Sequence, residues 1–573
     1  MDGLITGGPR VEEAAAPYLV APLLTDHLDA FASAPEGFKR LRELVLNLAV
    51  RGRLVPQNSG DESAEKLLAW IRSSNNRVVL VPKDSPPYEV PLSWVWTTLG
   101  EITNVGETIK AGTLHDDTWV LDLEDIGKDT SRLVCKVRFS ERQSKSDKNI
   151  FAAGDVLYGK LRPYLNKVIV ADEPGVCTTE ILPLRGYGNI NADYIKTFLK
   201  SPGFIGYVNA KSYGMKMPRL GTTDAKRAYF ALPPLAEQSR IVAKVDELMA
   251  LIDALEAKVG AGETARIKLR DAFFDALASS PDAAATAGAW AQLAPHFDLL
   301  LQTPADVDRL QQTLLQLAVK GRLVPQDPND EPAAELLKRI RAEKARMVAE
   351  GKIRHEKPLL AIDENGLPFD VPRGWQWAVL GDVVLSSEAG WSPSCESTPR
   401  EDSKWGVLKV SAVSWGEFLD EENKALPSHL EARPEYEVQP GDFLLSRANT
   451  AELVARSVIA WNPKPHLMLS DKIIRLQIAM GADRTYFNLF NNTSFARTHY
   501  VANASGTSAS MKNVSRDVVL SLPVPVPPLA EQSRIVAAVA SLTALCDRLR
   551  ERLAARRELS AKLAAAMTEA AVQ

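Results

Sequence analysis

The stretch PPLAEQSRIVA, Pro233 to Ala243, decides the fold, because the same letters return at Pro527 to Ala537. In each copy, apolar side chains follow at alternating steps of four and three residues, the spacing of a coiled-coil seam. The paired prolines suit a helix start, where a missing N–H removes no hydrogen bond. The stretch therefore predicts two equivalent long helices. Their seam positions are Ile241, Val245, Leu248 and Ile252 in the first helix and Ile535, Val539 and Leu542 in the second.

The repeat is much longer than this stretch. Three more motifs recur in the same order: LAVRGRLVPQ (48–57) as LAVKGRLVPQ (317–326), Trp94-x-Trp96 as Trp375-x-Trp377, and GDVL (154–157) as GDFL (441–444). This order indicates a duplicated unit of about 280 residues and not a solenoid of short repeats. The tryptophans are predicted to pack in the core, GD-x-L is predicted to turn into a core strand, and Gly52 and Gly321 are predicted to be helix C-caps. Between Trp-x-Trp and PPLAEQ little else matches, so the interiors have diverged on a shared frame.

Composition limits the class of protein. At 573 residues the chain is too long for one hydrophobic core. A net charge of -4 excludes a globally basic nucleic-acid binder but permits local basic surfaces. The four cysteines form no CxxC, which suits a reducing compartment. We find no signal peptide and no uninterrupted run of about eighteen apolar residues, so we expect a cytoplasmic protein.

The two interiors are typical of mixed α/β structure. Short β-rich runs such as KVIVA and KIIRLQI alternate with turns and helical stretches such as ADYIKTFLKS. The stretch Ser279 to Ala289 is predicted to be a linker. A charge-dense helix with a solvated face is predicted between Ala333 and Lys352.

Two divergent interiors, each closed by P-P-L-A-E-Q-x-x-I-V and a heptad helix, resemble the specificity subunit of a type I restriction-modification system. The stretch GRLVPQDPNDEPAAELLKRIRAEK is also similar to the helical segment before the second variable region of that family. The resemblance implies an α+β fold with two α/β target-recognition domains, joined by two long antiparallel coiled-coil helical regions. The expected parts are an N-terminal helical scaffold segment (1–90), a first recognition domain (91–232), a central helical region with linker (233–370), a second recognition domain (371–526) and a C-terminal helix (527–573).

The resemblance also implies a function. Each recognition domain would read one half of a bipartite site in double-stranded DNA. The helices would hold the domains apart and dock two methyltransferase (modification) subunits, which restriction (endonuclease/translocase) subunits then join. No catalytic residue is expected in this chain, and it is expected to bind no cofactor. S-adenosylmethionine, ATP and magnesium are expected in the partner subunits.

Four segments of the interiors are basic and nearly free of acids, which suits phosphate neutralisation and base-edge contacts. Two lie in the first interior, YGKLRPYLNKVIV and YVNAKSYGMKMPRL, and two in the second, SRANTAELVAR and RTHYVANASGTSASMKNVSR. KSYGMKM aligns with ASGTSAS, and Met217 with Met511. The predicted DNA contacts are Lys160, Arg162, Asn166, Lys167, Lys211, Tyr213, Lys216, Arg219, Arg447, Asn449, Ser508, Lys512 and Asn513.

Enzymatic motifs are scarce. SPPY at Ser85 to Tyr88 resembles an amino-methyltransferase motif, but the aligned second copy is GLPF and no Gly-rich loop precedes it. No HExxH, His/Cys cluster or P-loop occurs, so no metal site is predicted. One alternative is the recognition part of a single-polypeptide restriction-methylation enzyme. A purely structural coiled-coil adaptor is another, but it leaves the two α/β interiors without a role.

Overall fold

The structure is a computed structural model. It describes residues 10–11, 28–75, 85–110, 113–128, 130–142, 146–353, 362, 367–395, 397–401, 403–414, 416–506 and 511–572. The chain packs as two units, Met1–Glu263 with Ala555–Gln573, and Thr264–Ala554. We call them unit 1 and unit 2. Two 44-residue helices, Leu235–Ala278 and Leu529–Val572, lead from one unit to the other and back.

The helices fall into two similar series. Unit 1 contains α1 (Leu28–Ser33), α2 (Gly37–Val50), α3 (Ala64–Asn75), α4 (Leu99–Ile102), α5 (Ala192–Leu199), α6 (Pro202–Lys211) and α7 (Thr222–Arg227). The first long helix, α8 (Leu235–Ala278), begins in unit 1. Unit 2 contains α9 (Ala283–Leu293), α10 (Phe297–Leu300), α11 (Pro304–Val319), α12 (Ala333–Ala349), α13 (Leu380–Val383), α14 (Arg484–Asn491), α15 (Ser494–Asn503) and α16 (Arg516–Leu520). The second long helix, α17 (Leu529–Val572), begins in unit 2.

The strands are short. Those of unit 1 are β1 (Arg10–Val11), β2 (Val90–Pro91), β3 (Val95–Thr98), β4 (Thr103–Val105), β5 (Thr108–Ile109), β6 (Trp119–Leu121), β7 (Val137–Arg138), β8 (Lys148–Phe151), β9 (Val156–Gly159), β10 (Val168–Val170), β11 (Gly175–Thr178), β12 (Ile181–Gly186) and β13 (Tyr229–Leu232). Those of unit 2 are β14 (Gln376–Val379), β15 (Val384–Ala389), β16 (Gly406–Leu408), β17 (Asn423–Ala425), β18 (Asp442–Ser446), β19 (Ala448–Asn449), β20 (Ser457–Ala460), β21 (Leu467–Met468), β22 (Ile473–Ile478), β23 (Lys512–Asn513) and β24 (Pro523–Val526).

The two interiors share a topology although their sequences have diverged. A four-stranded antiparallel sheet has the order β10-β9-β12-β4 in unit 1 and β20-β18-β22-β15 in unit 2. A second sheet pairs β6 with β11 in parallel in unit 1 and β16 with β21 in unit 2. The Trp-x-Trp strands β3 and β14 pair with β13 and β24, which lead into the long helices. The mixed α/β prediction is confirmed.

GD-x-L begins the central strand of each four-stranded sheet, as predicted. Gly154 and Gly441 have φ angles of +86° and +85°, a conformation that disfavours any side chain. The aspartate that follows accepts a backbone hydrogen bond from three residues earlier and pairs with an arginine of the neighbouring strand. The pairs are Asp155–Arg185 at 2.8 Å and Asp442–Arg475 at 3.0 Å. The motif is therefore a structural turn.

The glycine of each GRLVPQ motif ends a helix. Gly52 follows α2 and Gly321 follows α11, with φ angles of +71° and +67°. The backbone N–H of the residue after the glycine donates to a carbonyl five positions earlier. Arg53 N donates to Leu48 O at 3.0 Å, and Arg322 N donates to Leu317 O at 2.9 Å. This is the Schellman arrangement, so the predicted C-caps are confirmed. It turns the chain so that the following glutamine can reach the start of a long helix.

Glu237 and Gln238, the last two residues of the first PPLAEQ motif, form a buried cluster of hydrogen bonds in unit 1, which we call the latch. Trp94 donates its indole N–H to Glu237 Oε2 at 2.9 Å, and Gln57 Nε2 donates to Glu237 Oε1 at 2.6 Å. Gln238 Oε1 accepts the backbone N–H of Asn191, which caps α5, at 2.9 Å. The GRLVPQ motif, the Trp-x-Trp motif and the start of α5 are far apart in sequence, and all three bind to the buried side chains of Glu237 and Gln238.

Unit 2 repeats the latch atom for atom. Trp375 donates to Glu531 Oε2 at 2.9 Å, and Gln326 Nε2 donates to Glu531 Oε1 at 3.0 Å. Gln532 Oε1 accepts the backbone N–H of Asp483 at 2.9 Å. We therefore explain the identical Glu-Gln letters by internal bonding. These two central polar residues of each motif are buried and make these bonds within their own unit.

The predicted seam positions do not pack as one continuous seam. Ile241, Val245, Leu248 and Ile252 belong to the core of unit 1, with α2 and with Ala564 and Ala571 from the end of α17. Ile535 and Val539 belong to the core of unit 2, while Leu542 is partly buried in a separate cluster of that unit with the last turns of α8. Direct packing of the first group on the second was therefore the wrong pairing. The start of each long helix packs on the α/β domain that it follows.

Three local expectations meet different outcomes. The predicted linker at Ser279 to Ala289 was wrong, because Asp282 caps a helix there through Ala285 N at 2.8 Å. The charge-dense helix is present as α12, with its apolar face buried at Leu336, Leu337 and Ile340. Trp94, Trp96 and Trp375 are buried as predicted, whereas Trp377 is half-buried.

The stretch Leu529–Ala571 is long and apolar enough, by length and composition, to cross a membrane. Its side chains have protein partners in unit 2, since Ile535, Val539 and Cys546 are buried in two of that unit's cores. A helix that packs on cores in this way meets the same test, so the stretch does not establish a membrane span.

Candidate nucleic-acid interface

A small hairpin in unit 1 brings two of the predicted basic segments together. Tyr213 and Arg219 exchange both backbone hydrogen bonds, at 3.1 and 2.9 Å, and so close the loop GMKMP. Gly214 has a φ of +99°, which favours glycine at the first loop position. Arg219 also bridges to Leu161, which follows β9. The segment after β9 and the segment after α6 therefore form one surface.

Unit 2 has the same construction. Ser505 and Asn513 exchange backbone hydrogen bonds at 2.8 and 3.0 Å, and Gly506 has a φ of +109°. Strand β23 pairs with β19, the short strand after β18. Ser508, one of the predicted contacts, lies outside the described residues.

Backbone hydrogen bonds set the equivalence of the two hairpins. Leu220 N donates to Lys160 O at 2.9 Å, and Val514 N donates to Arg447 O at 3.0 Å. Counting from these bonds, Arg162 corresponds to Asn449 and Arg219 to Asn513. Met217 corresponds to Met511, as the sequence alignment predicts, and each is 53% exposed. The frame is the same, but the polar side chains that it presents differ.

The structure gathers most of the predicted contacts of unit 1 and sets two apart. Lys160, Arg162, Tyr213, Lys216 and Arg219 lie on the hairpin or the strand beside it, and Lys211 ends the helix that leads into it. Lys167 instead donates its ammonium to the Leu123 carbonyl at 2.6 Å. Asn166 ends the adjoining turn with a buried Oδ1 that accepts no bond among the described residues. These last two side chains are engaged in or covered by the domain itself.

Charge pairing separates the basic residues of the unit 1 hairpin. Arg219 is ion-paired with Glu180 at 2.8 Å. Arg162 and Lys216 are exposed, and neither has a carboxylate within ion-pair distance in the described part of the chain. Unpaired exposed cations beside an apolar tip form a surface that attracts phosphate without internal competition.

Exposed apolar groups accompany this charge. Met215 is fully exposed at the hairpin tip, and Tyr164 and Tyr213 are about half-exposed beside it. Sequence reasoning named the tyrosines but missed Met215 and the Glu180 pairing. A glycine in each of the two loops, Gly214 and Gly506, was the available signal for a shared tip, whereas the ion pair depends on strand pairing that no local pattern reveals.

In unit 2 the cations are held differently. Arg447 is exposed, with no acidic partner among the described residues. Lys512 Nζ donates to the Gly506 carbonyl at 2.7 Å, and Asn449 Nδ2 donates to Ser414 Oγ at 2.9 Å. Burial, together with the nearby charge of Arg456, lowers the pKa of Arg497 to about 10. The second hairpin is therefore also basic, but its side chains are more restrained.

Two matching basic hairpins on duplicated α/β units define a protein with two equivalent but chemically distinct candidate surfaces. No family model matches the chain. It is 34% identical to the type I restriction enzyme EcoEI specificity subunit of Escherichia coli, over 96% of this chain and 100% of that protein. It is 30% identical to the EcoAI specificity subunit of the same organism, with the same coverage. The chain belongs to the family of type I restriction enzyme specificity subunits.

Solved structures show weaker likeness. A structure of a type I restriction-modification system covers 85% of this chain and 99% of its own, at 19% identity and a TM-score of 0.49. The crystal structure of the HsdS subunit from Thermoanaerobacter tengcongensis covers 85% and 98%, at 18% identity and a TM-score of 0.43.

Proposed function

We propose that each unit of this chain reads one half of a bipartite site in double-stranded DNA through its hairpin surface. The observation that carries the proposal is the matched pair of hairpins, which share backbone geometry but present different polar groups. Two readers with one frame and different side chains are what a split target requires. Lysines and arginines at the rim neutralise phosphates, and arginine or asparagine side chains at the centre reach base edges in the major groove.

The long helices and their latches serve as the frame of the complex. Glu237 and Gln238 are buried, but their neighbours Leu235, Ala236 and Ser239 are exposed, as are Leu529, Ala530 and Ser533 in the second copy. An identical exposed face at two places suits two copies of one partner. We assign these faces to two methyltransferase subunits, and restriction subunits complete the assembly.

The chain acts without catalysing a reaction in this proposal. Its sequence carries no P-loop, no HExxH and no complete methyltransferase motif set. S-adenosylmethionine, ATP and magnesium then belong to the partner subunits, and the complex works in the cytoplasm. The single-polypeptide enzyme remains the alternative. Methyl transfer or cleavage by the purified, uncontaminated chain, given S-adenosylmethionine or ATP with magnesium, would establish that alternative.

A domain exchange tests the proposed function directly. Residues 92–231 are replaced by the equivalent region of another specificity subunit, and the methylated motif is determined by methylome sequencing in cells that also carry the modification partner. We expect one half of the motif to change and the other half to persist, because the unit 2 hairpin is untouched. A change in both halves, with the complex still assembled, contradicts two independent readers.

A further inference from the structure

Arg162 has an unusual backbone conformation in the middle of the unit 1 surface. Its φ and ψ angles are 49° and 59°, in the left-handed region that residues other than glycine and asparagine seldom occupy. The next residue is Pro163, and a following proline normally requires an extended conformation. Such conformations cost free energy and persist only where the surroundings impose them, most often at functional sites.

The surroundings that impose it belong to the hairpin. Arg162 N donates to Pro218 O at 2.7 Å, and the Arg162 carbonyl accepts from Leu165 N at 2.9 Å. Both backbone groups of the residue are therefore fixed, one to the hairpin loop and one to the short turn Pro163–Leu165. The side chain leaves from a rigid point, which reduces the entropy lost when it makes a directed contact.

Among the described residues the Arg162 guanidinium has no carboxylate partner, whereas three other arginines of unit 1 do. Arg142 pairs with Asp125, Arg185 with Asp155 and Arg219 with Glu180. Arg162 is exposed, without a carboxylate partner in the part of the chain that the structure describes. The strained backbone of Arg162 costs free energy, and its exposed guanidinium makes no ion pair that would repay the fold. We therefore read the conformation as serving a ligand.

We propose that Arg162 is the base-reading residue of the first half-site and that it contacts a guanine. This inference rests on the proposed function. Guanine presents the O6 and N7 acceptors in the major groove, and the planar guanidinium matches them with two parallel hydrogen bonds. Arg219, whose guanidinium is paired with Glu180, is a positioning residue that holds the hairpin beside Arg162.

The same site in unit 2 has a different chemistry. Asn449 takes the place of Arg162, with Nδ2 bonded to Ser414 Oγ and Oδ1 accepting from Thr450 N, both at 2.9 Å. Its amide is therefore already satisfied within the domain. The guanine contact is specific to the first half-site, and this difference is one physical reason why the two halves of the target are not the same sequence.

The test first uses substitutions that separate strain from recognition. Arg162→Gly removes both the guanidinium and the steric penalty of the left-handed backbone. Asn189→Gly, at an exposed residue of the same unit with a φ of 60°, makes a similar backbone change and removes no arginine. We expect Arg162→Gly to keep or raise the melting temperature of the full chain and to relax one guanine of the methylated motif. Asn189→Gly should leave the motif unchanged.

A base substitution then identifies the contact. Binding of the full chain with its modification partner is measured on a duplex with the motif found for the wild type and on the same duplex with 7-deazaguanine at the relaxed position. Loss of N7 should weaken wild-type binding roughly 5- to 150-fold and should not weaken Arg162→Gly.

The outcomes separate this inference from the proposed function. If Arg162→Gly leaves every position of a bipartite motif intact, or if 7-deazaguanine weakens the variant as much as the wild type, the assignment of Arg162 is overturned and the two-reader function stands. If the wild-type complex methylates no bipartite motif, the proposed function fails first. A marked fall in melting temperature for Arg162→Gly would show that the residue is structural and also overturns the assignment.

Discussion

Replacing Glu237 by glutamine removes a carboxyl group that is buried where the first long helix begins. Burial raises the pKa of the Glu237 carboxyl from 4.5 to about 7, although Trp94 and Gln57 donate hydrogen bonds to it. A carboxyl whose pKa is higher in the folded chain favours folding below its unfolded pKa, and this contribution is lost as the pH rises through the folded pKa. The relevant window therefore lies between about pH 4.5 and pH 7.

The size of the effect follows from the two pKa values. From pH 5.5 to pH 8 the wild-type chain should lose about 2 kcal/mol of stability through this one group. In a unit of this size that corresponds to about 4 to 8 °C of melting temperature. Glu237→Gln carries no charge at either pH, so its stability should lack this component. The free energy of unfolding of the variant should fall furthest below that of the wild type at pH 5.5, and the difference should be smallest at pH 8.

The assay is thermal unfolding of both proteins at the two pH values, with hydrogen exchange of the segment around Trp94 to assign the unit 1 transition. Glu247→Gln is the matched control, because Glu247 lies on the same helix but is exposed and paired only with Lys244. It should follow the wild-type pH profile. An equal loss of stability in Glu237→Gln and in the wild type between pH 5.5 and pH 8 would show that the Glu237 carboxyl does not cause it.

Two further predictions concern the helix face and the hairpin charge. In chemical denaturation, Leu248→Asp should destabilise unit 1 by at least about 3 kcal/mol, because Leu248 is 3% exposed and an unpaired charge there is costly. Leu251→Asp is the control at a residue that is 43% exposed, and it should change stability by less than about 1 kcal/mol. Equal effects of the two substitutions would contradict the helix orientation. Lys216→Ala should weaken DNA binding by a similar factor for all sequences and reduce the slope of log affinity against log salt by about 1, measured by fluorescence titration across salt concentrations, and an unchanged slope would exclude a phosphate contact.

Periodicity and repetition predicted much of the frame. The heptad spacing from Ile241 onward located the first long helix, and Gly52 and Gly321 located two helix ends, because these signals are local. The local sequence does not indicate which part of the chain each apolar helix face packs against. Ile241 and Ile535 have the same spacing in the same motif, and only the folded units show that each packs on the core of its own domain.

The candidate surface was predicted in pieces. The basic segments without acids predicted Lys160 and Arg219 separately. The two segments lie together because of a β-bridge between Leu161 and Arg219, which are far apart in sequence. The engagement of Lys167 by a main-chain carbonyl likewise depends on a distant strand. The latch was detectable in principle. Each repeat contains the same glutamate and glutamine and, far away in sequence, the same tryptophan, and such joint repetition suggests that these residues contact one another. The error at Ser279 to Ala289 came from treating an alanine-rich stretch as a linker, although alanine favours helix and Asp282 is a good N-cap.

The composition of unit 1 from two distant pieces of chain has a consequence for biosynthesis. Its core includes Ala564 and Ala571, which the ribosome adds only after all of Thr264–Ala554. At roughly 5 to 20 residues per second, the intervening segment takes roughly 15 to 60 s to make. During that interval unit 2 emerges as one contiguous piece, while the core of unit 1 still lacks the side chains of Ala564 and Ala571. The first unit to begin translation is therefore the last to be completed, and a nascent chain stalled anywhere in between carries an unfinished unit 1 core.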